Sequence, residues 1–477
     1  MNYRMIKNII GWILIFEAIF MTVPLVTAII YSESAVWAFV ISILICAFIG
    51  GIMILGKPRD TTLYSREGYV IVALSWITLS IFGALPFYIS GAVPSLTDAL
   101  FETVSGFTTT GASVISDVEA LPKSVIMWRS FSHWVGGMGV LVFIMAFVSL
   151  SGGQNMHIMK AESPGPSVSK LVPRVKNTAT ILYAIYFFLT LTEFIILLFA
   201  GMSVFDAVNT AFATAGTGGF GIKNDSMASY SPAIQIIVTV FMLLFSLNFN
   251  FYYLLLHKKA KEAFNCEIRA FSAAVFIAVA VMALNIRGMF PTFSEATRQS
   301  AFAAASVVST TGFAVADFNL WPELSKTILV LLMFMGACAG STGGGIKASR
   351  IIILLKSMKN RLNQLIHPKR VQKIMMDSHP VEDDVVQTVY AFMICYIALF
   401  AVSFIMLSLD NHDAVTNFTA VTSAINNIGP GLELVGPTQN FAFFSIPSKF
   451  VLMFDMLAGR LELFPMLLLF SASTWKK

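Results

Sequence analysis

Four short, weakly apolar segments each run into a glycine-centred turn, and long hydrophobic stretches flank every one of them. The turns are Thr109-Thr110-Gly111, Thr217-Gly218-Gly219, Thr310-Thr311-Gly312 and Asn427-Ile428-Gly429, recurring about once per hundred residues. The segment before each turn, roughly 11–16 residues, is too short to cross about 30 Å of hydrocarbon and has to be re-entrant. Non-helical backbone at that depth is tolerated only where it lines a cavity. The repeat therefore points to four like units of helix, half-helix, glycine loop and helix around a shared axis.

Composition excludes an ordinary soluble globule: 57% of the 477 residues are hydrophobic and 12% charged, against about 25% charged in soluble domains. The reading is an all-α polytopic membrane protein with ten spans, near 8–31, 34–56, 67–91, 123–150, 178–201, 231–256, 269–290, 322–357, 385–409 and 444–472. The first apolar run is too long for a secretory signal and contains Glu17, so it reads as a retained helix. Two transmembrane helices, 1–56, precede the repeats, which occupy 67–150, 178–256, 269–357 and 385–477. Basic linkers at 151–177, 257–268 and 358–384 separate them.

Placing both termini in the cytoplasm gathers most of the 31 Lys and Arg there, among them Lys57, Lys160, Lys258 and Lys369. Acidic residues such as Asp98, Asp117, Asp206 and Glu433 fall on the other face, so the glycine loops face outward. The net charge of +5 reflects this asymmetry, and no nucleic-acid partner is expected. Cys46, Cys266, Cys338 and Cys395 are scattered, as are the six His, so neither a disulfide, a zinc site nor an enzyme active site can be assembled.

A dehydrated cation in a bilayer needs several oxygen ligands that do not each carry a full charge. Backbone carbonyls supply them where glycine allows positive φ at no Cβ cost. The half-helices end at the loops, directing the negative ends of their dipoles at the ion. Asp98 and Asp206 sit thirteen residues before their glycines, and Glu295 and Asp413 slightly earlier, where an acidic side chain would cap the helix start.

Inside the filter, the span after the third loop is broken by Gly340-Ser341-Thr342-Gly343-Gly344-Gly345, followed by Ile346 and Lys347. Three consecutive glycines suit a flexible loop facing a pore better than lipid-exposed helix, since each costs about 1 kcal/mol against Ala in a helix. The alternative is a kink that relieves packing. Arg460 falls in the middle of the last span, an expensive place for a charge unless it faces water or a partner. It reads either as an electrostatic barrier to cations or as a structural partner of Asp455, Glu462 or an acid on another helix. The glycine runs Gly216–Gly221 and Gly340–Lys347 superficially match nucleotide-binding loops, but neither follows a strand and opens a helix.

These loops, together with Ser132-His133-Trp134-Val135-Gly136-Gly137-Met138-Gly139, Gly340 to Lys347 and Gly459-Arg460-Leu461-Glu462, resemble the Trk/Ktr/HKT superfamily of cation transporters. Within it, the chain resembles the bacterial TrkH-type potassium-uptake subunits over essentially its whole length. The resemblance implies a four-unit pseudo-symmetric pore and a homodimer in the cytoplasmic (inner) membrane. It also implies a cytoplasmic nucleotide-binding regulatory subunit of the TrkA type, and an arginine at the position of Arg460 projecting into the pore. Glycine at all four filter positions implies K+ as the transported ion, since serine at the first goes with sodium. The fourth loop, Asn427-Ile428-Gly429-Pro430, departs from the Thr-x-Gly pattern. One filter glycine per loop implies a shorter stack of carbonyl rings than in potassium channels and a modest preference for potassium over sodium. Two other readings stand beside this one: a secondary transporter of another small solute, which would show two inverted halves, and a sodium-permeable cation transporter.

Overall fold

The computed structural model describes residues 1–56, 64–139, 175–369, 372–377 and 379–475. Most of the expected linker 151–177 and the end of the span 123–150 lie outside these residues, as do Lys57, Arg59, Lys160, Lys170, Arg174, Arg370, Lys476 and Lys477. Among the described residues the fold is α-helical apart from short turns and one β-hairpin, pairing Met375–Met376 with His379–Pro380.

Among the described residues six helices are long and apolar enough to cross a membrane: Tyr3–Ile30, Val36–Ile54, Ser65–Ile89, Thr180–Phe199, Cys266–Asn285 and Asp383–Asp410. They are the two leading helices and the first helix of each of the four units. The second helix of each unit is different. Pro232–Ser246 turns through 90° into Phe249–Leu256 and makes a seventh span if the pair is taken together. Glu323–Met335 and Ala348–Ile366 are separated by twelve non-helical residues. Ile446–Arg460 stops before Phe464–Leu469, with Glu462 and Leu463 at positive φ. The first unit's counterpart, Lys123–Gly137, is followed into the undescribed stretch. The span 322–357 is thus interrupted over its glycine run, as expected, whereas 231–256 and 444–472, expected to be continuous, are broken as well, the last by a turn that contains no glycine.

Burial sorts the straight helices. Only 22% of the most apolar windows of Thr180–Phe199 and Asp383–Asp410 is buried inside the protein, against 67% of that of Ser65–Ile89. Large apolar side chains such as Phe187, Phe188, Ile394 and Ile397 stand exposed on the first two, as a lipid-facing surface requires. Ser65–Ile89 is interior because the leading helices lie over it: Met5, Ile9, Ile13 and Phe39 share one core with Ile71, Trp76 and Leu79.

The half-helices are Leu96–Phe107, Val204–Gly216, Phe293–Val308 and Ala414–Asn426. Their starts correct the sequence reading. Ser95, Ser203 and Thr292 are the capping side chains, accepting from the N–H groups of Asp98, Asp206 and Glu295. Those acids sit one turn inside, where they complement the dipole. Only in the fourth unit is the acid itself the cap, Asp413 accepting from Thr416 N–H at 2.8 Å.

Candidate cation filter

Each half-helix ends in the same backbone gesture. Thr109, Thr217, Thr310 and Asn427 adopt the left-handed region at φ between 55° and 60°, and two residues later Gly111, Gly219, Gly312 and Gly429 have φ of 79°, 73°, 85° and 101°. The glycine conformation was legible in advance; the strained residue before it, β-branched in three units, was not.

The four loops close on one another in a ring. A methyl group on Gly111 would overlap the carbonyl oxygen of Gly218, one on Gly219 that of Thr311, and one on Gly312 that of Ile428. On Gly429 it would come 2.8 Å from the carbonyl oxygen of Thr110, returning to the first loop. Each glycine thus faces the middle carbonyl of the next unit. Only hydrogen fits there, so glycine is required by close approach as well as by φ. All four glycines line a single cavity of about 130 Å³ at the mouth of the ring. At its rim Asp117 accepts from Asn224 Nδ2 at 2.8 Å, and this hydrogen bond holds the exposed carboxyl below its ordinary range.

The twelve residues singled out in the loops are therefore together. Their hydroxyls and amides mostly brace the backbone: Thr110 meets Thr108, Thr311 meets Ser309, Thr217 donates to the Gly216 carbonyl, and Asn427 Nδ2 donates to Thr110 Oγ1 and the Met456 carbonyl. Two buried oxygens, Thr109 Oγ1 and Asn427 Oδ1, have no hydrogen-bond partner among the described residues.

Beneath the ring lies the glycine-rich segment, and it is packed rather than loose. Gly344 N–H donates to Thr310 Oγ1 at 2.7 Å, and a methyl on Gly344 would overlap the Asn426 carbonyl oxygen. Lys347 is buried with its ammonium on the Gly343 carbonyl oxygen. Glu267, at the start of Cys266–Asn285, staples the two ends of the segment: its Oε1 accepts from Ala339 N–H at 2.8 Å and Ser349 N–H at 3.0 Å. The absence of side chains at Gly343 and Gly344 lets the backbone approach both filter loops above it.

Arg460 is the last residue of the helix Ile446–Arg460, at the break that precedes Phe464–Leu469. Its guanidinium donates to the Thr342 carbonyl at 2.7 Å and to the carbonyls of Gly136 and Gly137, joining the glycine segment to the end of Lys123–Gly137. Of the acids considered for it, Asp455 accepts from Ser403 Oγ at 2.8 Å and Glu462 meets Arg350.

Residues that sequence reading missed stand beside the first two loops. Arg129, Glu102 and His133 are all buried. His133 joins the half-helix of the first unit to the loop of the second: Nδ1 lies 2.7 Å from the Gly106 carbonyl oxygen, and Nε2 accepts from Phe220 N–H at 3.2 Å. The accepting Nε2 places the proton on Nδ1. The run Ser132–Gly139 carried a signal for this position, though not for its partner.

A multi-pass helical protein with four glycine loops converging on one cavity has the outline of a membrane protein that handles a small solute or ion. The comparisons narrow the class. Residues 36–477 match the TrkH family, described as cation transport protein. The chain is 34% identical to the Trk system potassium uptake protein TrkH of Escherichia coli (strain K12) over 486 residues, covering all of both chains. It is 32% identical to TrkG of the same strain, covering 100% of this chain and 99% of the relative. The crystal structure of the potassium transporter TrkH from Vibrio parahaemolyticus superposes with a TM-score of 0.90 at 32% identity over the full length of both. This chain belongs to the TrkH family of cation transport proteins.

Proposed function

We propose that the chain carries potassium across the cytoplasmic membrane through the ring of loops, using Thr109 to Gly111, Thr217 to Gly219, Thr310 to Gly312 and Asn427 to Gly429 as the filter. The observation that carries this is the cyclic closure, in which each glycine faces a carbonyl of the next loop and the fourth returns to the first. Backbone oxygens presented by four half-helix ends are the ligands a bare alkali cation accepts. The orphaned Thr109 Oγ1 and Asn427 Oδ1 add oxygen near the same ring. Relatives named as potassium uptake proteins over their full length support the choice of ion.

In this reading the chain crosses the bilayer ten times, both termini are cytoplasmic, and the second helix of each unit is broken where it lines the pore. Gly343, Gly344, Gly345 and Lys347 form the gate with Arg460 as its bolt. The protein works as a homodimer with a cytoplasmic nucleotide-binding regulator. No coupling ion is required, because the membrane potential alone supplies roughly 2.3 kcal/mol per 100 mV for a monovalent cation.

The test is rubidium or potassium uptake into liposomes holding this chain alone, with sodium as competitor. Uptake driven by an inside-negative potential and inhibited more by potassium than by sodium is expected. No cation flux under any potential would overturn the proposal, and equal competition by sodium would replace it with a non-selective cation pathway.

A further inference from the structure

The four joints of the ring are not built alike. At the joint between the first and second loops a single guanidinium reaches three segments. Arg129 Nε donates to Glu102 Oε1 at 2.8 Å, in the half-helix that descends to the first loop. Its Nη2 donates to Ser113 Oγ at 3.3 Å, two residues beyond Gly111, and its Nη1 to the Gly221 carbonyl at 3.2 Å, two residues beyond Gly219. The Glu102 carboxylate in turn accepts from Ser113 Oγ and from Val114 N–H at 3.1 Å. The guanidinium also lies 4.1 Å from the centre of the Phe220 ring, whose other neighbour is His133, with ring centres 4.2 Å apart. Phe220 directly follows the filter glycine Gly219.

Among the described residues no fully buried ion pair stands at the matching positions of the other units, although Lys449 meets Asp98 at 2.6 Å, partly exposed, near the start of the first half-helix. Arg129 is the seventh residue of Lys123–Gly137, and the seventh residues of Pro232–Ser246, Glu323–Met335 and Ile446–Arg460 are Val238, Leu329 and Leu452, all fully buried. Nine residues before the filter glycines, where the first unit has Glu102, the others have Thr210, Ala303 and Ala420. At these positions, level with the middle of each half-helix, the other three units make do with uncharged side chains. A buried ion pair is a poor substitute on stability alone, since desolvation offsets most of its Coulomb attraction. What the pair adds is geometry: a planar fork of fixed dimensions, satisfied on three sides, sets the distance between two loops in a way that sliding aliphatic contacts cannot.

We propose that the Glu102–Arg129 couple is a specificity-determining positioning pair, which fixes the spacing of the first and second filter loops and with it the preference for potassium over the smaller sodium ion. This rests on the filter reading above. The pair acts through Ser113, Gly221 and Phe220 and does not touch the ion.

The test uses the full-length protein in liposomes with two variants. Arg129→Lys keeps the charge but loses the fork. Glu102→Gln combined with Arg129→Met removes both charges at similar volume and leaves no buried ion unpaired, so it remains informative if the single variant fails to fold. The potassium-to-sodium flux ratio is expected to fall several-fold in both. In detergent, the extra thermal protection that potassium gives the wild type over sodium is expected to shrink in parallel. A wild-type flux ratio and wild-type differential protection in the double variant would overturn the proposal, showing the pair to be packing only. A wild type that carries no potassium would defeat the transport reading instead, and the protection measurement would still decide the role of the pair.

Discussion

The ring of loops and the layer directly under it follow opposite rules. In the ring every unit contributes the same backbone: a left-handed residue, one residue between, then a glycine whose Cα faces the next unit. In the layer below, the units contribute unequally. The third sends a twelve-residue glycine segment across the axis side of the filter, the fourth supplies Arg460 to hold it, and the first offers only the carbonyls of Gly136 and Gly137. An ion held by main-chain oxygens needs equal ligands on all sides, so a repeat serves it well. A gate of the kind proposed needs one element that moves against others that do not, and only the third unit contributes such a glycine segment among the described residues.

The comparison is broken most severely at the ring. Gly219→Ala adds a methyl onto the Thr311 carbonyl at a position with φ of 73°, where the left-handed backbone alone costs roughly 1–2 kcal/mol for a side chain. Potassium uptake in liposomes is expected to fall to background while the protein still purifies as a monodisperse species. Near-normal uptake would mean the ring is not the path.

One layer down, the same kind of measurement should move the other way. Arg460→Ala removes charge-assisted hydrogen bonds to Thr342, Gly136 and Gly137, each worth about 1.5–3 kcal/mol, so basal cation flux without any regulator is expected to rise about tenfold or more. Deleting Gly343 to Gly345 should give a leak of the same sign. Flux that is unchanged or lowered in both variants would remove the gating role and leave the segment as packing.

The smallest effect lies at the rim. Asn224→Ala frees Asp117, whose folded-state carboxyl is held below its ordinary value of 3.8 chiefly by the Asn224 hydrogen bond. A lowered folded pKa contributes stability that is present above the unfolded value and lost as pH falls through the folded one. The wild type should therefore melt slightly higher than the variant at neutral pH, and the gap should narrow on acidification below about pH 4 to the part that comes from the Val118 N–H bond to Asn224 Oδ1. A gap that widens in acid would contradict the assignment. Flux and selectivity should not respond.

How much of this was legible varied with the kind of constraint. Gly111, Gly219, Gly312 and Gly429 could be found because positive φ and close approach restrict a position to one residue type. The capping sites were legible too, yet attention went to Asp98 and Asp206 while the capping oxygens belong to Ser95 and Ser203, three residues earlier. The break after Arg460 left no trace, since Leu461-Glu462-Leu463 contains neither glycine nor proline, and so a broken segment read as one continuous span. Glu102 and Arg129 lie 27 residues apart on separate helices, with no spacing rule to join them.

Long hydrophobic stretches were enough, by themselves, to establish an all-α multi-pass membrane protein, because bilayer thickness and backbone hydrogen bonding leave few alternatives to such a pattern, and the four glycine turns located the loops. Tertiary structure alone decided the rest. Which carbonyl meets which glycine, which cation pins the glycine segment and which joint carries an ion pair all depend on contacts between residues distant in the chain, and the length and polarity of a segment hold no record of what lies across the axis from it.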